Sequence, residues 1–494
     1  MKMFKFDDTI CAPATAVGTG AISVIRVSGP DALKVCDTVV KFRNGAALSS
    51  EGYSLKYGTI KDVDDVLVSI FRAPHSYTGE DGVEISCHAS SYIVTRILER
   101  LIAAGARLAE AGEFTRRAFV NGKMDLAQAE AVADVIASNS EASHRIAMNQ
   151  LKGAYSSELK GLRDKLVELT ALMELELDFS EEEVEFANRA QLSSLLEGTL
   201  AHIEKLADSF KAGNAVRNGV PVALVGAVNS GKSTLLNALV GDERAIVSDI
   251  PGTTRDTIEE VICLDGINFR FIDTAGLRET DDYVEKIGVT RSYNALSRAD
   301  VIVGVLDGCA PLKDITAAAK EIMSKAGDDQ TLILVRNKVD MYDAIAPEEF
   351  PQKDMSYGIF ELKYPAFGTY DIDPEKLSGM LGVTDAPCKV VGVMDISAKT
   401  GEGLAELRAA LVESQQGRFS AGSGTLVTSL RHYEALQRAA ESLYKVRVGL
   451  IKAVPNDLLA EDLRSSISEL NSIFGEITTD DVLGEIFGKF CIGK

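Results

Sequence analysis

The chain has few cysteines, and they form no pattern. The seven, Cys11, Cys36, Cys87, Cys263, Cys309, Cys388 and Cys491, are scattered and odd in number, and none stand in CxxC spacing. That argues against a disulfide framework and a zinc site and fits a reducing compartment. No run of about 18 apolar residues occurs, so no membrane span is expected. The opening MKMFKFDDTICAPA has no apolar signal core before Asp7 and Asp8, which predicts a cytoplasmic protein. Positive charge is in deficit: 52 Lys and Arg face 73 Asp and Glu, for a net charge of −21. Such a chain does not coat nucleic acid, because phosphate binding needs a positive field. RNA would be met through a local basic patch or through a partner. Repeats and long low-complexity tracts are also missing. The ending FGKFCIGK places Cys491 four residues from the end, yet Gly493 and Lys494 do not complete a prenylation box.

A length of 494 residues predicts roughly three domains. Residues 1–120 read as mixed α/β, with strands in GAISVIRVSG (20–29) and GVEISCHAS (82–90). From 121 the pattern turns helical. Leu159, Leu162, Leu166 and Leu169 recur at steps of three and four, an apolar stripe that packs on another helix. VALVG then opens a domain of alternating strand and helix signals over residues 218–415. SQQGRFSAGSG (414–424) reads as a linker. Residues 416–494 return to helix, with a break at Pro455. The two helical blocks, 121–217 and 416–494, are expected to pack together, with the middle domain inserted between them.

GAVNSGKS (226–233) matches GxxxxGK[ST] between a strand and a helix. Gly226 and Gly231 let backbone N–H groups wrap phosphates, Lys232 reaches the β- and γ-phosphates, and Ser233 takes a Mg²⁺ position. DTAG follows the strand FRFI. There Asp273 can hold Mg²⁺ through water, and the Gly276 amide can sense the γ-phosphate. NKVD follows LILV, and Asp340 can accept two hydrogen bonds from guanine that adenine does not offer. SAK (Ser397, Ala398, Lys399) supports the base. In this order the motifs resemble the Ras-like GTPase domain. The candidate nucleotide contacts are Asn229, Ser230, Gly231, Lys232, Ser233, Thr234, Asp273, Thr274, Ala275, Gly276, Asn337, Lys338, Asp340, Ser397, Ala398 and Lys399. Leu277 stands where Ras has a water-orienting glutamine. TTRD looks like switch I, with Thr254 as a second Mg²⁺ ligand and Arg255 and Asp256 as catalytic candidates. The Asn229 side chain can help hold a monovalent cation where other GTPases insert an arginine, a part worth roughly 10³–10⁵ in rate.

These motifs, with FCIGK at the end, closely resemble the tRNA modification GTPase MnmE (TrmE) family along essentially the whole chain. DTICAPATAVGTGAISVIRVSGP, GEFTRRAFVNGKMDLAQAEAVADVI, GTTRDTIEE and DTAGLRETDDYVEKIG carry the likeness. The resemblance implies a multidomain α/β plus all-α fold: an N-terminal α+β domain that binds folate and forms a homodimer, a discontinuous helical domain, and an inserted Ras-like P-loop GTPase domain. It implies potassium-stimulated GTP hydrolysis and a flavoprotein partner, MnmG. With that partner, an aminomethyl-type group is placed on carbon 5 of the wobble uridine of tRNA, its carbon coming from a tetrahydrofolate derivative. By position, potassium falls to Asn229, Ser248, Ile250 and Thr253, and the attacking water to Glu285. Folate falls to Arg26, Glu84, Lys123 and Lys494, and the tail is expected to bring Cys491 toward that pocket, across the dimer. Without the resemblance, Glu285 is a helix glutamate, Arg26 the end of a strand, Lys123 a loop charge and Cys491 a buried thiol. The long stretch between NKVD and SAK and the serine at 248 depart from the family pattern. Two other readings stand beside this one: a ribosome-assembly GTPase of the Era/EngA kind, and a folate-dependent aminomethyltransferase regulated by a G domain.

Overall fold

A computed structural model of the chain describes residues 7–16, 18, 20–178, 189–241, 260–272, 296–344, 369–370, 389–419, 425–452, 454–476, 480–488, 490 and 493. In chain order they form β1 (Ile10–Pro13), β2 (Ile22–Ser28), α1 (Ala32–Val39), β3 (Lys41–Phe42), β4 (Ser54–Ile60), β5 (Asp64–Phe71), β6 (Gly82–His88), α2 (Ser91–Ala103), β7 (Arg107–Leu108) and α3 (Glu113–Val120). Helices α4 (Leu126–Ala137), α5 (Glu141–Leu151), α6 (Ala154–Asp178), α7 (Arg189–Asp208) and α8 (Phe210–Asn218) follow. Then come β8 (Val220–Val225), α9 (Lys232–Gly241), β9 (Glu260–Leu264), β10 (Ile267–Ile272), β11 (Val301–Asp307), α10 (Leu312–Lys325), β12 (Thr331–Asn337), β13 (Thr369–Tyr370), β14 (Lys389–Asp395) and α11 (Leu404–Phe419). Last are α12 (Leu430–Ile451), α13 (Asn456–Phe474) and α14 (Asp480–Phe487). The chain divides into two compact units: Met1–Ala137, Ala147–Lys205 and Glu434–Lys494 in the first, and Ser138–Ile146 and Leu206–Tyr433 in the second.

The first unit carries a seven-stranded sheet in the order β3-β4-β5-β6-β2-β1-β7. Alternation along its strands sorts side chains to two faces. Ile25, Val27, Val66, Val68, Ile70, Val83, Ile85 and Cys87 point to a core shared with Ile97 and Leu101 of α2. On the opposite face Ile22, Leu55, Tyr57 and Leu67 are exposed. Arg26 stands opposite Glu84 in the β2–β6 register, next to the core pair Ile25 and Ile85, and so on that open face. The leucine stripe of α6 is buried as expected, with Leu159, Leu162, Leu166 and Leu169 at most 1% exposed. A fully buried leucine contributes about 1.5–3 kcal/mol. Helix α13 packs against α6, with Arg464 paired to Glu174 and Arg163 to Glu476 at the rim.

Arg117 is fully buried and would be costly unpaired. Its guanidinium reaches Asp8 Oδ1 at 2.7 Å, Glu113 Oε1 at 2.9 Å and Glu80 Oε1 at 3.3 Å, while Arg107 grips Glu113 through both oxygens. Burial by itself would raise the Asp8 and Glu113 carboxyls. The bonds from Arg107 and Arg117 outweigh it and hold both below their ordinary values of 3.8 and 4.5. A depressed carboxyl stabilises the fold above its unfolded value and loses that contribution as pH falls through the folded one. Glu113→Gln is therefore expected to cost about 3 kcal/mol at pH 7. In thermal melts the gap from the parent should close below about pH 4; an equal gap at pH 3 and pH 7 would contradict the ionic account.

The second unit holds a seven-stranded sheet in the order β13-β14-β12-β11-β8-β10-β9. Strands β10, β8, β11, β12 and β14 run parallel, with β9 and β13 antiparallel at the edges. The central strands are apolar throughout because helices cover both faces. Val301, Val303 and Val305 enter one core and Ile302 and Leu306 the other. The expected linker over 414–424 is corrected in its first part, since α11 continues through Phe419, and residues 420–424 lie outside the described residues. Leu407 and Leu411 anchor that helix in the core, and Gln415 is fully buried on its next turn. Packing overrides the Gly, Ser and Gln content that reads as a break. Of the long stretch between NKVD and SAK, Thr369 and Tyr370 extend the sheet beside Met394 and Val393.

Candidate functional site

The loop from β8 to α9 is shaped by contacts that exclude side chains. A Cβ on Gly226 would stand 2.1 Å from the Val305 carbonyl oxygen, and one on Gly231 (φ +95°) 2.1 Å from Asn337 Nδ2. Asn229 takes a left-handed φ of +64°, a conformation that asparagine tolerates better than most residues. Lys232 and Ser233 then open α9, so the first-turn N–H groups and positive end of the helix face the loop. Lys232 Nζ donates to the carbonyls of Gly226 at 2.8 Å and Ala227 at 2.7 Å. Burial pulls its ammonium below the ordinary lysine value, a cost that an anionic ligand removes. The Ser230 hydroxyl is buried without a partner among the described residues.

Behind this loop lies the base side. Asn337, at the end of β12, donates from Nδ2 to the Ser230 carbonyl at 2.9 Å and accepts the Ala398 N–H on Oδ1 at 2.9 Å. One buried side chain thus fastens the P-loop to the SAK loop. Ser397 donates to Asp340 Oδ1 at 2.7 Å and also accepts the Thr400 N–H. Asp340 Oδ2 has no partner among the described residues. The carboxylate is aimed by one oxygen and open at the other. Lys338 (φ +72°) is held by Asp307 Oδ2 at 2.7 Å. Asp307 was missed from the sequence, because its position at the end of β11 belongs to no motif. The structure therefore brings together Asn229, Ser230, Gly231, Lys232, Ser233 and Thr234 of the loop and helix start, and ties Asn337, Lys338, Asp340, Ser397 and Ala398 to them or beside them. Lys399 follows Ala398 on the exposed turn.

Other expected residues of this site lie outside the described residues: Ser248, Ile250, Thr253, Thr254, Arg255, Asp256, Asp273, Thr274, Ala275, Gly276 and Glu285. No group of His, Cys, Asp and Glu among the described residues is arranged to hold a metal. A Mg²⁺ site of this kind draws on a loop hydroxyl and phosphate oxygens instead, and Ser233 at the start of α9 suits that role.

The first unit has a second candidate site, a cavity of about 130 Å³ lined by Arg26, Tyr77, Thr78, Phe71 and Glu84 among others. Arg26 places Nε at 2.9 Å and Nη2 at 2.8 Å from the same oxygen, Glu84 Oε1. Oε2 is left without a partner among the described residues. Rings flank the guanidinium, Tyr77 at 5.0 Å and Phe114 at 5.6 Å. Lys123 does not line the cavity. Its Nζ donates to the Pro74 carbonyl at 2.9 Å, and its stem lies against Gly79, so it braces the loop that carries Tyr77.

Helix α14 leads the C-terminal tail to this region. Phe487 packs on Phe119 and Phe490, and its carbonyl closes on Gly112 at the start of α3. A Cβ on Gly493 (φ +99°) would lie 1.9 Å from the Pro13 carbonyl oxygen. Pro13 ends β1, beside Ala12, the register partner of Arg26. Gly493 thus meets β1 of its own chain. Cys491 and Lys494 lie outside the described residues.

No helix among the described residues is long and apolar enough to cross a membrane. Residues 126–491 match the family model of the MnmE helical domain, and residues 9–123 match that of the GTP-binding protein TrmE N-terminus. Proteins named tRNA modification GTPase MnmE from Parabacteroides distasonis, Bacteroides thetaiotaomicron and Porphyromonas gingivalis are similar along their length. They are 46, 44 and 45% identical, covering 98, 99 and 99% of this chain and 100, 99 and 98% of their own. With a P-loop fold in one unit and these matches running end to end, the chain belongs to the MnmE (TrmE) family of tRNA modification GTPases.

Proposed function

We propose that this GTPase works as a potassium-activated homodimer with the flavoprotein MnmG, and that together they install an aminomethyl or carboxymethylaminomethyl group on C5 of the tRNA wobble uridine. The observation that carries the reading is the pairing of two unlike sites in one chain. A guanine nucleotide site occupies one unit, and the other has a cavity built around Arg26 and Glu84. GTP hydrolysis alone has no use for the second. Glu84 Oε2 suits a ligand N–H, and aromatic walls suit a flat heterocycle. A tetrahydrofolate derivative, 5-formyl or methylene, has both features and would bring the one-carbon unit. Lys123, Lys494 and Cys491 complete this pocket in the proposal: Lys123 holds the loop that carries Tyr77, and Gly493, which lies between Cys491 and Lys494 in sequence, sits on β1.

The domains of this reading are residues 1–120 for folate and dimerisation, 121–217 and 416–494 for the helical domain, and 218–415 for the G domain. The open sheet face with Ile22, Leu55, Tyr57 and Leu67 is the surface assigned to the homodimer. The acidic chain leaves most tRNA contact to the flavoprotein. In the G domain, Asp340 reads guanine and Lys232 neutralises the β- and γ-phosphates. Ser233 and Thr254 hold Mg²⁺, with Asp273 acting through water. Asn229, Ser248, Ile250 and Thr253 hold potassium against the phosphates. Glu285 orients the water that Leu277 cannot, and Arg255 and Asp256 support the switch around it.

Turnover is expected to be about tenfold or more faster in KCl than in matched NaCl. Asn229→Ala should lose the stimulation and keep GTP binding, because the loop amides remain. Equal rates in the two salts would remove potassium from the account.

A further inference from the structure

We infer that Tyr77 is a positioning residue of the one-carbon site: its ring, locked by Thr115, sets the Arg26 guanidinium in the orientation that receives the ligand. The inference rests on the folate reading above and adds a residue to it.

Tyr77 sits on the loop between β5 and β6, and that loop is fastened all round. Arg72 and Asp81 pair across its base, Ser28 bonds both Thr78 and Glu80, Asn121 donates to the Thr78 carbonyl, and Lys123 donates to that of Pro74. The buried Arg117 holds Glu80 from behind. So many bonds on a short loop fix where its side chains point. The Tyr77 hydroxyl bonds Thr115 Oγ1 at 2.8 Å, and Thr115 is fully buried on α3. Burial raises the phenol above its ordinary value, so it stays neutral and can donate. The ring is thereby held at both ends.

What the ring faces is the Arg26 guanidinium, 5.0 Å from its centroid, with the buried Phe114 at 5.6 Å. A guanidinium between two aromatic rings is attracted to each by the ring quadrupole, more strongly where water is scarce. Glu84 Oε1 then accepts the Nε–H and pairs with Nη2. Rings and carboxylate together restrain a side chain that otherwise carries large rotamer freedom. Restraint of this kind shows in affinity, because the ligand need not order the arginine as it binds. The sequence carries no signal for it, since Tyr77, Phe114 and Arg26 come together only through the sheet and α3.

The test is calorimetric titration of the full chain with 5-formyltetrahydrofolate. Tyr77→Leu should weaken binding about tenfold, Tyr77→Phe less than about threefold because the ring remains, and Thr115→Val about threefold. In an Arg26→Ala background Tyr77→Leu should cost nothing further, because the ring acts through the cation. Equal loss in both backgrounds, or no rescue by phenylalanine, would overturn the positioning role. Should Tyr77→Leu misfold by circular dichroism, Thr115→Val carries the same cycle. A parent protein that binds no 5-formyltetrahydrofolate would overturn the folate reading itself, and the role of Tyr77 with it.

Discussion

Asp340→Asn is expected to lower GTP affinity by about a thousandfold and to make xanthosine triphosphate the preferred nucleotide. A site built to bond a particular donor pair rejects partners lacking it by large factors, because buried polar groups are left unmatched. Ser397 fixes Asp340 through Oδ1 and leaves Oδ2 open. A carboxylate so placed only accepts, which matches the N1–H and exocyclic amine of guanine. The amide of asparagine can donate, which matches the 2-carbonyl of xanthine. Competition between the two triphosphates for one fluorescent analogue measures the switch. Unchanged GTP affinity would mean that NKVD is not the base reader. Asn337 is the more fragile neighbour, since its bonds to Ser230 and Ala398 hold two loops together.

Cys491→Ser is expected to abolish wobble modification while potassium-stimulated GTP hydrolysis persists. The nucleotide loop belongs to the other compact unit, which is the reason hydrolysis is expected to persist. The flanking residues Phe490 and Gly493 are seated in the first unit, against Phe487 and Pro13. A thiol delivered there can act as a nucleophile or a proton donor if its environment favours the thiolate. Cys11, Cys36 and Cys87 offer a contrast: burial pushes them up to about 11, 12 and 11, and they belong to the sheet's core or its edge. Nucleoside mass spectrometry on tRNA from a strain carrying only the serine variant reads the outcome. Normal modification in that strain would reduce the tail to a packing element.

The nucleotide site was legible because its parts are short loops, each contiguous in sequence and each following an apolar strand. Gly226, Gly231 and Asp340 needed only their immediate neighbours to be recognised. Asn337 as the bridge between two of those loops was not legible, since its bonds span residues far apart in the chain. The same limit governs the first unit. Arg26 and Glu84 meet through strand register, and Tyr77 and Phe114 reach Arg26 from a loop and a helix that no spacing rule connects. The β4–β5 hairpin was not read although its strands are as long as β2 and β6, because Leu55, Tyr57 and Leu67 on its exposed face blur the apolar–polar alternation. Resemblance to the family supplied Arg26, Glu84 and Lys123, and no spacing rule foretold that Lys123 also donates to the Pro74 carbonyl on the loop that carries Tyr77. The linker over 414–424 differs in its first part for another reason: its composition suggested a break at Ser414, but α11 runs on to Phe419.

The central claim is that both sites serve one reaction on tRNA, and the most direct measurement is complementation read by nucleoside mass spectrometry. A strain lacking this protein would receive the parent, Lys232→Ala or Arg26→Ala, and the wobble uridine of its tRNA would be quantified. The account predicts that the 5-substituted uridine is absent in the deletion and restored by the parent alone. Lys232→Ala should fail for want of GTP bound at the P-loop, and Arg26→Ala for want of the one-carbon donor. Unaltered wobble uridine in the deletion strain, or full restoration by either variant, would contradict it.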